Sequence, residues 1–431
     1  MKTNHSKMHV TEHNLHKGRT IASIYFFMQG LASLSPVNTI YSTLDFFIDR
    51  FPTANPSFTF PLANFTSNLL LIFGMVYIKK TFPLNCRVPV SLLVMTLLLL
   101  GMPIISLMLP HSQTGLWILY IFLFLSGGFN TIANATVVGL AGHFPSYHIA
   151  ENATGSSISG LLSNVIRAIL LIFFPYGSSE TNSAYEALIY YSIAAVVLMF
   201  CIYLHYKFIY SDYAAINLPP ENLPASRRPD IMSDSKVYVV LDEHHHTVAV
   251  SRTAWENAVD NFQEMWRVLR HMKLLLALMM LSNTITAMMF PGVVLKKDIP
   301  FLNPAWKIVA LVGTFNLFVS LGKFTTFLRW VVSETLVKFL IFIRILSLFI
   351  IITQASTLDV PLLDDHWLMF LNLAFYAYTD GFITSSVFIL CPSKVTGHDK
   401  EIAGFLSLQG VLLGFTIGTY CALPFRNITP S

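Results

Sequence analysis

Eleven long apolar stretches constrain the fold of this chain more than any other feature of its sequence. They cover roughly residues 21–44, 59–78, 88–109, 115–142, 153–175, 185–209, 273–295, 305–328, 334–355, 367–391 and 401–424. Each approaches or exceeds the length of about 20 mostly apolar residues that a helix needs to cross a bilayer. Only 12% of the residues are charged, against about 25% in soluble domains. The sequence therefore predicts an all-α polytopic membrane protein with eleven transmembrane helices.

The connections between these stretches are short except for one polar segment after the sixth. We expect a cytoplasmic N-terminal tail (1–20), a six-helix bundle (21–210), a cytoplasmic loop (211–272) and a five-helix bundle (273–431). Residues 236–250 alternate between apolar and polar side chains, which predicts two short strands in a hairpin. Apolar residues from Trp255 to Leu269 recur at helical spacing, which predicts an amphipathic helix leading into the seventh span.

The loop cations predict the orientation of the chain. With the N-terminus inside, nineteen Lys and Arg residues fall on the cytoplasmic side and four on the other, the four being Arg50, Lys296, Lys297 and Arg426. Cytoplasmic loops carry such an excess of cations. We therefore expect an integral membrane protein, placed in the plasma membrane, with a cytoplasmic N-terminus and an extracellular or lumenal C-terminus.

The eighth apolar stretch carries an unusual polar stripe. Asn316, Val319, Ser320 and Lys323 share one face of a helix and, if the span runs from Ala305 to Trp330, lie near its middle. A lysine at that depth costs about 3 kcal/mol on insertion scales, so it should face protein or water. This stripe predicts a solvated or ligand-filled cavity around which the other helices are arranged.

Proline and glycine inside several stretches, among them Pro36, Pro61, Pro103 and Pro291, predict interrupted helices. Interrupted helices beside a polar cavity are typical of carriers that work by alternating access.

Other classes of function find little support in the sequence. It contains no hydrolase, metalloprotease or phosphate-loop motif and no acidic cluster with metal spacing. The four cysteines are scattered, which indicates neither a disulfide framework nor a zinc site. We therefore expect no enzyme activity, no catalytic residue, no cofactor, no metal and no nucleic-acid partner. Without an ATP-binding motif, transport would be downhill or coupled to an ion.

Several local patterns together resemble one family, the equilibrative nucleoside transporters. The first is Gly-Leu-Ala-Ser-Leu-Ser-Pro-Val-Asn at 30–38, in the first span. The others are Gly-Leu-Ala-Gly at 139–142, Met-Phe-Pro at 289–291, Phe-Asn-Leu-Phe at 315–318 with Lys323, Arg344, and Gly381-Phe382, Cys391-Pro392 and Ala403-Gly404 near the C-terminus. The matching pieces run from the first span to the last, and the eleven-span plan with a large loop after the sixth span is also the family's.

This resemblance implies a fold and a substrate class. The fold would be major-facilitator-like, with bundles of six and five helices and the substrate between them near mid-membrane. The substrate would be a nucleoside or nucleobase, moved by facilitated diffusion or together with protons. The expected substrate contacts are Leu34, Val37, Tyr41, Asn134, Phe290, Asn316, Lys323 and Asp380.

The chain also departs from the family pattern. Val319 and Lys323 stand where the family has an aspartate and an arginine one turn apart, so a carboxylate and a planar guanidinium are lost. We hypothesise that Asp380 replaces the missing carboxylate by approaching Lys323; the alternative is that each charge faces its own water. Arg167 either faces the cavity or is structural, and Arg344 is expected to be a structural ion inside its bundle.

The sequence thus predicts a carrier for nucleosides or nucleobases, with the lipid bilayer as its surroundings and protons as a candidate second partner. One alternative is a carrier for another polar or charged small solute. Another is a membrane sensor or scaffold that does not transport and signals through the 211–272 loop.

Overall fold

The protein is almost entirely helical. The computed structural model describes residues 12–81, 84–145, 147–218, 222–227, 238–241, 247–250, 254–355, 365–396 and 399–427. The N-terminal half contains α1 (Glu12–Ser42), α2 (Leu44–Arg50), α3 (Pro56–Thr81), α4 (Leu84–Met108), α5 (Gln113–Ala141), α6 (Tyr147–Phe173), α7 (Glu180–Ile209) and α8 (Asp212–Asn217). The C-terminal half contains α9 (Ala254–Met289), α10 (Pro304–Thr325), α11 (Glu334–Ala355), α12 (His366–Ser393) and α13 (Asp399–Cys421).

Short elements connect these helices. Single 3₁₀ turns are formed by Pro52–Ala54, Ala225–Arg227, Val294–Lys296, Arg329–Val331 and Leu423–Asn427. Two strands, β1 (Tyr238–Leu241) and β2 (Thr247–Val250), pair antiparallel with Tyr238 opposite Val250 and Leu241 opposite Thr247. This pairing confirms the hairpin that the alternating sequence predicted. The first eleven residues of the expected N-terminal tail and residues 219–221 and 228–237 of the loop lie outside the described residues.

The helix lengths fit a membrane protein. Ten helices are long and apolar enough over their described residues to cross a bilayer. An eleventh long helix, α3, has 26 residues, and several of its side chains lie outside the description. The chain is therefore an integral membrane protein, whereas the number of spans remains a prediction.

Two predictions about helix boundaries change. The amphipathic helix and the seventh span form one continuous helix of 36 residues, α9, so the boundary expected at residue 272 falls inside it. The helices α1, α3 and α4 continue through Pro36, Pro61 and Pro103. The prediction of interruptions at those three prolines is thus wrong, because membrane helices tolerate proline where neighbouring groups satisfy the freed carbonyl. The seventh stretch does end near its proline, since α9 stops at Met289.

Glycines allow the closest helix contacts within each half. A methyl group on Gly155 of α6 would lie 1.9 Å from the Phe27 carbonyl oxygen of α1, and one on Gly30 would lie 1.9 Å from the Asn152 oxygen. The same contact recurs between α10 and α12 in the C-terminal half, where a methyl group on Gly322 would lie 2.0 Å from the Tyr378 carbonyl oxygen. Small residues at such positions let membrane helices pack backbone to backbone.

The two halves meet along two lines of contact: α6 packs on α10, and α13 packs on α3 and α5. We call the end of the molecule that carries α2 the α2 side. The opposite end, where α7 finishes and α9 begins, is the loop side.

Candidate functional site

The polar stripe predicted on the eighth span forms a hydrogen-bonded contact between the two halves. The Nδ2 atom of Asn316 donates to the Gly160 carbonyl oxygen at 3.3 Å, and the Ser320 hydroxyl donates to the Ser157 oxygen at 2.7 Å. A methyl group on Gly160 would lie 2.5 Å from the Asn316 side chain, so a larger residue at this position would push the amide away. We call these four residues the α6–α10 seam. Side chains that bond to backbone carbonyls of the other half can be released without breaking either helix.

Three rings lie where α1, α9 and α10 meet and form what we call the aromatic cluster. Phe290 stacks on Phe315 with ring centroids 3.8 Å apart, and Tyr41 meets Phe290 edge-on at 6.3 Å. All three are at most 9% exposed. The structure thus brings together two predicted substrate contacts, Tyr41 and Phe290, as ring partners. The Tyr41 hydroxyl is buried and has no hydrogen-bond partner among the described residues, which leaves a polar group available to a ligand.

Further contacts join the halves near the α2 side. The Arg426 guanidinium donates to the Thr53 carbonyl at 3.1 Å, and the Thr416 hydroxyl donates to the Phe65 carbonyl at 3.0 Å. Gly292 lies against the Phe58 ring, with no room for a side chain between them. Together with the aromatic cluster, these contacts close the molecule on the α2 side.

The halves separate toward the loop side. Ala135 of α5 and Leu408 of α13 pack together. The residues one turn nearer the loop side on these two helices are glycines without such a contact. A methyl group added to Gly139 or to Gly404 would have no neighbouring atom of the described residues within 4 Å. Because Gly139 shares a helix face with Ala135, and Gly404 shares one with Leu408, both glycines border open space between α5 and α13.

Lys323 does not lie where the sequence placed it. The helix α10 ends at Thr325, so Lys323 falls in its last turn rather than near the middle of a span that continues to Trp330. Its side chain is only partly exposed. Among the described residues, its ammonium group has no hydrogen bond and no ion pair. The negative end of the helix dipole favours a cation in a last turn, which lowers the cost of this lysine.

Asp380 has a different partner from the one we hypothesised. Its Oδ1 atom accepts a hydrogen bond from the Thr286 hydroxyl at 2.6 Å and lies 3.4 Å from Nη2 of Arg344. The carboxylate therefore pairs with Arg344, not with Lys323. Lys323 and Asp380 also lie at similar depth, because Gly322 of α10 packs against Tyr378 and Phe382 of α12. The Asp380 carboxylate is in contact with Arg344 of α11 instead.

Arg344 is a structural ion, as expected, and the structure supplies its missing partner. It is fully buried and donates to the Tyr376 carbonyl oxygen at 2.5 Å and to the hydroxyl groups of Thr379 and Thr286. A buried guanidinium needs both a counter-charge and hydrogen bonds to be tolerated. The Arg344–Asp380 pair thus ties α9, α11 and α12 together, and Lys323 interacts with Asp380 only at longer range.

The remaining predicted contacts are Leu34 and Val37 on α1 and Asn134 on α5, and all three are partly exposed. Sequence reasoning missed the partners of the stripe, Ser157 and Gly160. The signal was present, because residues 155–160 read Gly-Ser-Ser-Ile-Ser-Gly, a run of small residues that is typical of close helix contacts in membranes.

Comparison with known proteins identifies the family. The family model described as nucleoside transporter matches residues 120–427. The chain belongs to the nucleoside transporter family. Its relatives include equilibrative nucleotide transporter 1 of Arabidopsis thaliana, 21% identical over 95% of this chain and 89% of that protein. Equilibrative nucleoside transporter 1 of Homo sapiens is 24% identical over 94% of this chain and 96% of its own.

Solved structures support the fold. The nucleoside transporter NupG has a TM-score of 0.55 at 11% identity and covers 93% of this chain and 89% of its own. A bacterial homologue of the human lysosomal transporter Spinster has a TM-score of 0.54 at 11% identity, over 95% and 82%. The nucleoside transporter family member described here therefore has a major-facilitator-like, all-helical transporter fold.

Proposed function

We propose that this protein carries nucleosides or nucleobases across a membrane by alternating access between its two halves, arranged as bundles of six and five helices. The observation that carries the proposal is the α6–α10 seam. There, side chains of one half bond to backbone carbonyls of the other, between a closed α2 side and open space near the loop side.

The seam suggests how substrate binding and opening are linked. When the halves separate on the α2 side, the Asn316 amide and the Ser320 hydroxyl lose their carbonyl partners. Polar groups left without partners in a membrane interior are costly, so a substrate that offers equivalent acceptors stabilises the separated state. The hydroxyl groups and ring heteroatoms of a nucleoside are such acceptors.

The proposed substrate contacts have distinct roles. Leu34 and Val37 form an apolar wall, Tyr41 and Phe290 offer rings, and Asn134 and Asn316 offer amides. Lys323 offers a cation at the open end of the cavity. Asp380 acts indirectly in this proposal, as a positioning residue that holds Arg344.

We propose that the loop side faces the cytoplasm, which the excess of loop cations supports. The conformation is then open to the cytoplasm, with the N-terminus inside and the C-terminus outside, and we propose the plasma membrane as the location. Flux is either facilitated or coupled to protons.

One observation favours a second candidate, a carrier for a negatively charged solute. The Lys323 ammonium makes no ion pair among the described residues, although the Asp380 carboxylate is near enough to act on it electrostatically. An anionic group on the substrate would give it a direct partner.

Uptake into proteoliposomes tests the proposal. We expect saturable uptake of radiolabelled adenosine, uridine or hypoxanthine, each competed by the unlabelled compound. A proton gradient that raises the final level of accumulation would establish coupling, and one that does not would establish facilitation. An absence of saturable uptake for all three, with the protein folded and inserted, would contradict the proposal. Competition by an anionic derivative alone would favour the second candidate.

A further inference from the structure

A second buried charge cluster lies in the N-terminal half, away from the proposed substrate contacts. Nη2 of Arg167 on α6 lies 2.7 Å from Oδ2 of Asp45 on α2, and its Nη1 contacts the Glu186 carboxylate on α7. The three side chains are 1%, 2% and 4% exposed, respectively. Arg167 is therefore a structural ion rather than a cavity residue, and the residues that hold it come from two other helices, α2 and α7.

The charges of this cluster do not balance. Two carboxylates surround one guanidinium, so the cluster would carry an excess negative charge if both acids were ionised. An uncompensated charge in a buried site costs several kcal/mol, and an acid in that position binds a proton instead. The Arg344–Asp380 pair of the C-terminal half differs in this respect, because there one acid faces one base.

We propose that Asp45, Arg167 and Glu186 form a proton-binding site in which one proton is held at neutral pH, mainly on Glu186. It gives the transporter a site for protons separate from the proposed substrate cavity. Asp380 faces a single base, Arg344, so its charge is balanced without a proton.

The surroundings of the two acids assign the proton to Glu186. Asp45 lies in the first turn of α2, where the positive end of the helix dipole favours an ionised carboxylate. Glu186 lies inside α7, where its backbone N–H groups are already used by the helix. Of the two acids, Glu186 thus gains less from being ionised.

An exposed acid lies between this site and the α2 side. Asp49, one turn after Asp45 on α2, is exposed. The Tyr176 hydroxyl donates to its two carboxylate oxygens at 3.2 and 3.0 Å. Burial, together with the neighbouring Asp49 carboxylate, raises the pKa of Tyr176 to about 12, so this hydroxyl remains a donor at neutral pH.

The cluster is close to the contact between the halves. One turn after Arg167, Leu171 packs against Ala305 and Val309 of α10. A change of charge at Arg167 therefore acts on the helix that forms the α6–α10 seam. The other titratable or charged groups around the site are Asp49, Arg50, Tyr176, Glu180, Tyr190 and Tyr191.

Infrared spectroscopy of the purified full-length protein tests this site, because a protonated carboxyl has a carbonyl stretch that an ionised one lacks. At neutral pH we expect a band with the intensity of one buried carboxyl group. On deuterium exchange it should show the shift in frequency that is characteristic of a carboxylic acid. It should disappear at alkaline pH and be absent in Glu186→Gln. It should also be absent in Asp45→Asn, where Glu186 is intact but faces Arg167 alone. The matched control is Glu334→Gln, since Glu334 pairs one-to-one with Lys394.

Stability against pH gives a second readout. The folded site binds one proton more than the unfolded chain, so stability should fall as pH rises through the transition that the infrared band reports. This slope should be weaker in Glu186→Gln and unchanged in Glu334→Gln. A wild-type spectrum without the band at neutral pH would overturn the proposal. So would a band that persists in both cluster variants. If Glu186→Gln does not fold, the wild-type spectrum and Asp45→Asn still decide the question.

Discussion

Removing either member of the buried pair in the C-terminal half should destabilise the protein strongly. Asp380→Asn leaves the Arg344 guanidinium, which is fully buried, without a counter-charge. Arg344→Met leaves the Asp380 carboxylate without its base, with only the Thr286 hydroxyl as a hydrogen-bond partner. An uncompensated charge of this kind costs about 3–5 kcal/mol. That is a large part of the roughly 5–15 kcal/mol that holds a typical domain folded.

The double variant separates the pair from its surroundings. Asp380→Asn with Arg344→Met removes both charges, so we expect its loss of stability to be smaller than the sum of the single losses by about 3 kcal/mol. The surface pair Glu334–Lys394 is the matched control, and the same cycle there should give about 0–1 kcal/mol. Unfolding in detergent is followed with a thiol-reactive dye, because Cys201 and Cys391 are buried until the protein opens.

A third substitution distinguishes this account from our hypothesis of an Asp380–Lys323 pair. Lys323→Met combined with Asp380→Asn should be as unstable as Asp380→Asn alone. The reasoning is refuted if Lys323→Met restores the stability of Asp380→Asn while Arg344→Met does not. It is also refuted if Asp380→Asn has no effect.

Three further predictions concern transport. Lys323→Met should reduce uptake at least about tenfold if the cation contributes about 1.4 kcal/mol to substrate binding, and it should change the unfolding temperature little. The control is Lys338→Met, at an exposed lysine, which should leave uptake unchanged. Gly160→Ala should overpack the α6–α10 seam, at a cost of about 1–3 kcal/mol, and change the uptake rate. Gly139→Ala places its methyl group in open space and should leave the uptake rate unchanged. Equal effects of the two substitutions would argue against a role of the seam in transport. Phe290→Leu loses a stacked ring contact worth about 0.5–1.5 kcal/mol and should change the apparent affinity for purine nucleosides in competition assays. An unchanged affinity would mean that the Phe290 ring has only a packing role.

Hydropathy was sufficient to predict the class of fold, because the length of each apolar stretch reflects the thickness of the membrane independently of the other stretches. The hairpin in the loop was predictable for the same reason, since alternation is a local property. The resemblance to nucleoside transporters was predictable because its motifs recur in order along the chain.

The partners of the buried charges were not predictable. Helical spacing placed Lys323 on the same face as Asn316, and that face does meet the other half. Spacing cannot give the rotation of α12 about its axis, which turns Asp380 toward Arg344. Nor did hydropathy reveal that α10 ends at Thr325, because the apolar residues after it continue the pattern without continuing the helix.

The cluster around Arg167 was predicted only in part. A lone arginine in a span requires a counter-charge, but neither Asp45 nor Glu186 is near it in the sequence. Only the packing of α2 and α7 against α6 brings two acids to one base.

Cross-linking across the α6–α10 seam tests most directly whether the halves must separate. Cysteines replace Ser157 and Ser320, in a background without the two exposed cysteines, and a short reducible bifunctional reagent joins them. We predict that uridine uptake into proteoliposomes stops on cross-linking and returns on reduction. Cysteines at Ser347 and Asn372, which contact each other within the C-terminal half, should leave uptake intact when they are joined. Uptake that continues at its original rate through a fully cross-linked seam would contradict alternating access between these halves.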